Sequence, residues 1–141
     1  MANYSEVTDI LVNRFINNLP SIDGVTIDAS SIKYPNAPFQ TPKDTPWFRL
    51  SVIHGQSENV QTGLNGRTRQ EGIFIIDCFF PTGTGNKSLN EIQTQMQDLY
   101  KRKVFESVRC KTFQPIEVGV ESQDSNWYQL QIEVFFEFDD C

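Results

Sequence analysis

Apolar residues recur at Val7, Ile10, Leu11, Phe15 and Leu19, the three-and-four spacing that lines one face of a helix. Asp9, Asn13, Arg14 and Asn17 fall largely elsewhere. The pattern predicts a helix over about residues 4–19, stopped by Pro20, with 21–24 as its exit turn. Ser5 with Thr8 makes no capping box, so the start is not fixed by a motif. Val25-Thr26-Ile27 reads as a short strand. A polar stretch, 28–45, follows, and together with Pro46 it holds four of the seven prolines. Each proline removes a backbone donor and biases its predecessor toward extended geometry. The segment is therefore expected to be extended but poorly suited to a central ladder.

Residues 47–54 alternate, with Trp47, Arg49, Ser51 and Ile53 on one side and Phe48, Leu50, Val52 and His54 on the other. This predicts a strand with one buried face. Residues 55–66 read as a long polar loop. The next strand, 67–80, is polar at first (Arg67 to Glu71) and then apolar on nearly both faces from Ile73 to Phe80. It is expected to start outside the body of the domain and to end as a central strand covered on each side. A glycine turn at 81–87 leads to a second helix, for which Ser88 and Glu91 form a capping box. Leu89, Ile92, Met96 and Leu99 define its apolar stripe, extended to Tyr100 and Val104. Strands at about 112–118 and 127–138 close the chain, paired as a hairpin through 119–125. The order of elements argues for an α+β fold: a mostly antiparallel sheet flanked by two helices, in a single domain spanning residues 1–141.

Composition narrows the function. A chain of 141 residues is long enough to bury one core without staples. No apolar run reaches bilayer-spanning length, and no basic-then-apolar signal pattern opens the chain, so no membrane role is expected. Cys78, Cys110 and Cys141 are odd in number and widely spaced, which argues against a disulfide framework and against a metal site. The net charge of -6 makes a free-standing DNA-binding module a poor reading, because approach to phosphate is opposed.

The candidate chemistry is thin. Gly83-Thr84-Gly85-Asn86-Lys87-Ser88 sits between a strand and a helix and mimics a phosphate loop. That loop needs glycine immediately before the lysine and again five residues earlier; Asn86 and Pro81 occupy those places. A glycine turn before a helix is the better reading. His54, the single histidine, has no nucleophile or orienting carboxylate signature around it. Cys78 lies in an apolar run and reads as core. Asp139 and Asp140 read as a solvated acidic end. Arg67 and Arg69 share one face of the polar half-strand, and Phe79 and Phe135 fall on the face opposite the main stripe of their strands. Charge alone does not separate a solvated basic pair from a contact with an acidic neighbouring subunit, and the two phenylalanines are interface candidates although scattered apolar surface residues are normal. No catalytic, metal or cofactor site is expected.

Several segments carry a family resemblance. They are Tyr34-Pro35-Asn36-Ala37-Pro38-Phe39, Trp47-Phe48-Arg49-Leu50-Ser51-Val52, Glu71-Gly72-Ile73-Phe74-Ile75-Ile76-Asp77, Pro81-Thr82-Gly83-Thr84-Gly85 and Asn126-Trp127-Tyr128-Gln129-Leu130-Gln131-Ile132. Each is weak alone. In combination, over about residues 4–138, the chain resembles the tail terminator (tail completion) proteins of long-tailed bacteriophages. The resemblance implies a structural virion protein and not an enzyme. It implies a homo-oligomeric ring, typically a hexamer, at the end of the tail tube, made in the bacterial cytoplasm and incorporated at the tail–neck junction. Its implied partners are the tail tube protein and a head–tail connector or head-completion protein, with DNA passing through the lumen unbound. On this reading the candidate subunit-interface residues are Asn36, Pro38 and Phe39 in the proline-rich segment and Arg67 and Arg69 in the half-strand. Another phage neck or head-completion protein is an alternative, as is a small-ligand-binding α+β module. The terminal Asp139-Asp140-Cys141 matches nothing in the family pattern.

Overall fold

A computed structural model describes residues 4–22, 25–34, 46–59, 68–81, 86–120 and 127–140. Helix α1 (Tyr4–Ile16) buries Val7, Leu11 and Phe15, one residue per turn on a single stripe. It ends three residues before the expected stop, where Asn18 N–H donates to the Phe15 carbonyl ahead of Pro20. Two short strands, β1 (Ser21–Ile22) and β2 (Val25–Thr26), pair antiparallel. Asp28 then accepts a hydrogen bond from Ser30 N–H at the entry to a single 3-10 turn, Ala29–Ser31. Strand β3 (Ile32–Lys33) follows.

The body of the fold is one sheet. Strands β4 (Trp47–Asn59) and β5 (Thr68–Pro81) precede helix α2 (Asn86–Tyr100). Strands β6 (Val104–Phe105), β7 (Val108–Val120) and β8 (Trp127–Asp140) follow it. The strand order is β3-β4-β5-β8-β7-β6, and every pair is antiparallel except β3 with β4. This is the expected α+β architecture, and β7 and β8 form the expected closing pair.

Several boundaries differ from the sequence reading, each for a physical reason. β4 does not stop at His54: a register shift between His54 and Ser57 absorbs the irregular residues, and pairing with β5 continues to Asn59. So 55–59 is strand and not loop. α2 begins at Asn86, and Ser88 is buried within its first turn, so the capping-box reading fails. The core-facing stripe of α2 is Leu89, Ile92, Met96 and Tyr100, with Leu99 only partly buried. Val104 is not helical and is 70% exposed. β7 starts at Val108, ahead of the expected 112, and shifts register twice against β8.

Both helices pack on the same sheet face. The core there joins Val7, Leu11 and Phe15 of α1 and the α2 stripe to Phe74, Ile76 and Phe80 of β5 and Leu130 to Phe138, at alternate positions, of β8. Tyr100, fully buried, donates its hydroxyl to the Leu11 carbonyl at 3.0 Å and ties the helices together. Gly72 permits the closest approach in the sheet: a Cβ there would meet the Phe136 ring at 2.6 Å and the Ile53 carbonyl at 2.7 Å. Cys78 and Cys110 are buried in this core as free thiols.

Candidate interaction surface

The alternation that sends Phe74, Ile76 and Phe80 toward the helices sends Arg69, Glu71, Ile73, Ile75, Asp77 and Phe79 to the opposite face. Among the described residues no helix covers that face. The strand register arranges it in rows running across the sheet. At one end Arg69 lies opposite Asp139, and Glu71 lies opposite Glu137, which in turn faces Arg109. Next come Ile53, Ile73 and Phe135, then Ser51, Ile75, Glu133 and Gln114. Arg49, Asp77 and Gln131 follow, then Trp47, Phe79 and Gln129.

The first rows form an ionic network. Arg69 Nε is 3.2 Å from Asp139 Oδ1, and Arg109 reaches the same oxygen at 3.0 Å while its Nε donates to Glu137 at 3.0 Å. Lys111 bridges Glu137 at 2.8 Å and Glu71 at 3.4 Å. Desolvation alone would raise the Glu137 carboxyl, but the hydrogen bonds from Lys111 and Arg109 outweigh it and hold it below the ordinary value. Asp139 shows the same balance, with Arg109 and Arg69 overcoming desolvation. Lys111 is raised, first by its hydrogen bond to Glu137.

At the far end a second cluster buries Asp77 beneath a partly exposed Arg49. Arg49 donates to Asp77 Oδ2 through Nε at 3.0 Å and a terminal nitrogen at 2.9 Å, and Gln129 donates to Oδ1 at 3.0 Å. Asp77 is 3% exposed, and its charge is compensated at both oxygens. Trp47 stacks on Phe79 at 4.1 Å, Trp127 meets Trp47 edge-on, and the Arg49 guanidinium lies over the Phe79 ring. Phe79 is thus fully buried without a helix above it.

On the helix side, His54 is enclosed by Tyr4, Phe136 and Phe138. Its Nδ1 has no hydrogen-bond partner among the described residues, and burial lowers its pKa. Nearby, Tyr4 and Ser57 both donate to Gln70 Oε1. Among the described residues, the rings packed on the imidazole are those of Tyr4, Phe136 and Phe138. The Cys110 thiol is pushed up to about 12 by burial, and Cys78 higher still by burial and the Asp77 charge, so neither is a nucleophile at neutral pH. Among the described residues no cluster of His, Cys, Asp and Glu could hold a metal, and no helix is long and apolar enough to cross a membrane. A groove of about 660 Å³ between α1 and β6 is lined by Glu6, Asp9, Asn13, Arg14 and Phe105. Arg14 is engaged there with the Leu99 carbonyl and the Phe105 ring.

Of the candidate interface residues, Asn36, Pro38, Phe39 and Arg67 lie outside the described residues. Arg69 is placed on the uncovered face, but its guanidinium is engaged by Asp139 of its own chain. Asp139 is correspondingly part of a strand and of the ionic network, not a solvated end. Phe135 is on this face and partly exposed, whereas Phe79 is sealed under Trp47. Arg109, Lys111, Glu71 and Glu137 were not singled out from sequence, because only strand register makes them neighbours. The run Lys101-Arg102-Lys103, three consecutive cations in an acidic chain, is by contrast legible in the sequence.

No curated protein matches the chain in sequence. A solved structure shares the fold at a TM-score of 0.61, with 16% sequence identity, over 92% of this chain and 94% of that one. The family model described as phage tail terminator protein matches residues 6–136, which takes in α1 from Glu6 onward, the sheet up to Phe136 and α2. A match of that extent settles the family: the chain belongs to the phage tail terminator proteins.

Proposed function

We propose that this chain is the subunit of a ring, six-fold as is typical of the resemblance, that caps the phage tail tube, stops its growth and offers a joining surface to the head–tail connector or a head-completion protein. The observation that carries the reading is the family match over nearly the whole chain. The chemistry is consistent with it. A structural ring needs surface and not a reaction centre, and the described residues offer an uncovered sheet face with no assembled catalytic group. A net charge of -6 suits a subunit that surrounds DNA without gripping it, because the duplex is repelled from the wall. The protein would act in the virion at the tail–neck junction, after synthesis in the host cytoplasm.

The test is tail length. Removing the gene from its phage should yield overlong or headless tails, and adding the purified protein to polymerising tube protein should arrest elongation. Tubes of normal length that join heads without the protein would defeat the reading.

A further inference from the structure

The residues that follow α2 are Lys101-Arg102-Lys103-Val104, and all four are exposed. Val104, at 70%, is the most open large apolar side chain described. Among the described residues, none of the three cations has an ion-pair partner. This contrasts with Arg49, Arg69, Arg109 and Lys111, each engaged by a carboxylate of its own chain. The backbone that carries the run is held in place. Arg102 and Glu106 have φ of 52° and 53°, the left-handed region that non-glycine residues seldom adopt. Lys103 N–H donates to the Tyr100 carbonyl, and Cys110 N–H donates to the Lys103 carbonyl at 2.8 Å. The result is a basic turn that runs into Val104, the first residue of the edge strand β6, with the exposed Glu106 just beyond it.

The uncovered face carries the matching chemistry. Ile53, 53% exposed, adjoins Ile73 and Phe135 in one apolar row. The neighbouring row holds Glu133, which has no cation in ion-pair reach among the described residues. On the other side lies Glu71, whose side chain is 45% exposed despite its contact with Lys111.

We infer that the 101–104 turn of one subunit docks on the Ile53–Ile73–Phe135 row of the next, with Val104 against the isoleucines and the three cations facing Glu133 and Glu71. The inference rests on the ring reading and names the contact that would build the ring. The two patches differ and sit at different places, one at a sheet edge and one on a sheet face. Their contact is therefore heterologous, the kind that repeats from subunit to subunit and can close a ring. The charge argument points to a second copy of this chain: an acidic subunit that, among its described residues, leaves three cations without an ion pair on one patch and a carboxylate without one on another complements itself across the contact. A phosphate backbone would meet the cations but leave Val104 and Ile53 in water.

The experiment uses the full chain. Wild type, Val104→Glu and Ile53→Glu are compared at one concentration by light scattering and native mass spectrometry, with thermal melts as folding controls. Wild type should form the closed oligomer. Each variant should still unfold cooperatively as a folded monomer, since both side chains are exposed, and should lose the oligomer at least tenfold. Mixing the two variants is the sharper test. Each retains one intact patch, so the mixture should form a one-to-one dimer that cannot grow. A Lys103→Glu, Glu133→Lys double variant should recover oligomer lost in Lys103→Glu alone. Wild-type oligomers from both single variants, or an unmixed pool of monomers from the mixture, would overturn the contact while leaving the ring reading intact. Wild type that stays monomeric alone and on tube ends would overturn both. Loss of DNA retention in Lys101→Glu, Lys103→Glu with rings unchanged would assign the turn to nucleic acid and overturn the inference.

Discussion

Single residues show where packing leaves no room. Gly72 lies directly between the Ile53 carbonyl and the Phe136 ring, both nearer than 3.0 Å to any Cβ placed there. Ring rotation can relieve one contact, but the backbone carbonyl cannot move without disturbing the β4–β5 ladder. Gly72→Ala should therefore lower stability by about 1–3 kcal/mol, the usual cost of overpacking. Gly55→Ala, whose Cβ would come no closer than 3.4 Å to the Glu71 carbonyl, should cost clearly less. Urea midpoints of the two variants check the contrast. His54 gives a second test at this scale. Its imidazole is enclosed by aromatic rings and its pKa is lowered by burial, so the unfolded chain takes up its proton first. The neutral form stabilises the fold fully above 6.5, and that contribution is lost as pH falls below 6.5 toward the lower folded value. An NMR titration of the imidazole should give a midpoint below 6.5.

At the scale of elements, the second helix shows how far periodicity reaches. The spacing of Leu89, Ile92 and Met96 identified the buried stripe correctly. It put Leu99 in that stripe, with Tyr100 as an extension, and the structure reverses the two, because both fit a helical repeat within one position. The choice falls to α1: Tyr100 finds the Leu11 carbonyl as a hydroxyl acceptor and is fully buried, while Leu99 is left at the margin. Tyr100→Ala should cost about 3–5 kcal/mol, as large buried aromatics do, and Leu99→Ala substantially less. Equal losses in denaturant melts would mean that the helix is rotated from this position. The strands tell a similar story. Alternation in residues 127–138 was legible because one face is apolar throughout, whereas the continuation of β4 past His54 was hidden by a register shift that breaks the period.

For the whole molecule, the ionic network joins β5, β8 and β7 through six side chains that are far apart in sequence. Glu137 and Asp139 are held below their ordinary values, so their contribution to stability is complete above about 4.5 and is lost as pH falls further. Glu137→Gln should flatten that acid limb of the stability curve, which a set of thermal melts between about pH 2 and pH 5 would show. The energy at stake is modest, since the cations are about one-third exposed or more and solvent screens them. The network also changes the picture of assembly. Arg69, a candidate for contact with a neighbouring subunit, also has a carboxylate partner in its own chain, and among the described residues Lys101, Arg102 and Lys103 are exposed cations with no ion pair.

What the sequence determined by itself was local and compositional: two amphipathic helices, a mostly antiparallel sheet, the failure of the phosphate-loop test and a set of family segments that the match over residues 6–136 bears out. These follow from side-chain period and residue type, which act over a few neighbours. Only the tertiary structure decided which charges meet. Glu71, Arg109 and Glu137 become one network because β8 inserts between β5 and β7, and no spacing along the chain encodes that order. The same pairing seals Phe79 under Trp47, leaves Ile53 open and aligns it with Ile73 and Phe135. Register is a property of strands brought together by the fold, so the surface it creates had to be seen in three dimensions.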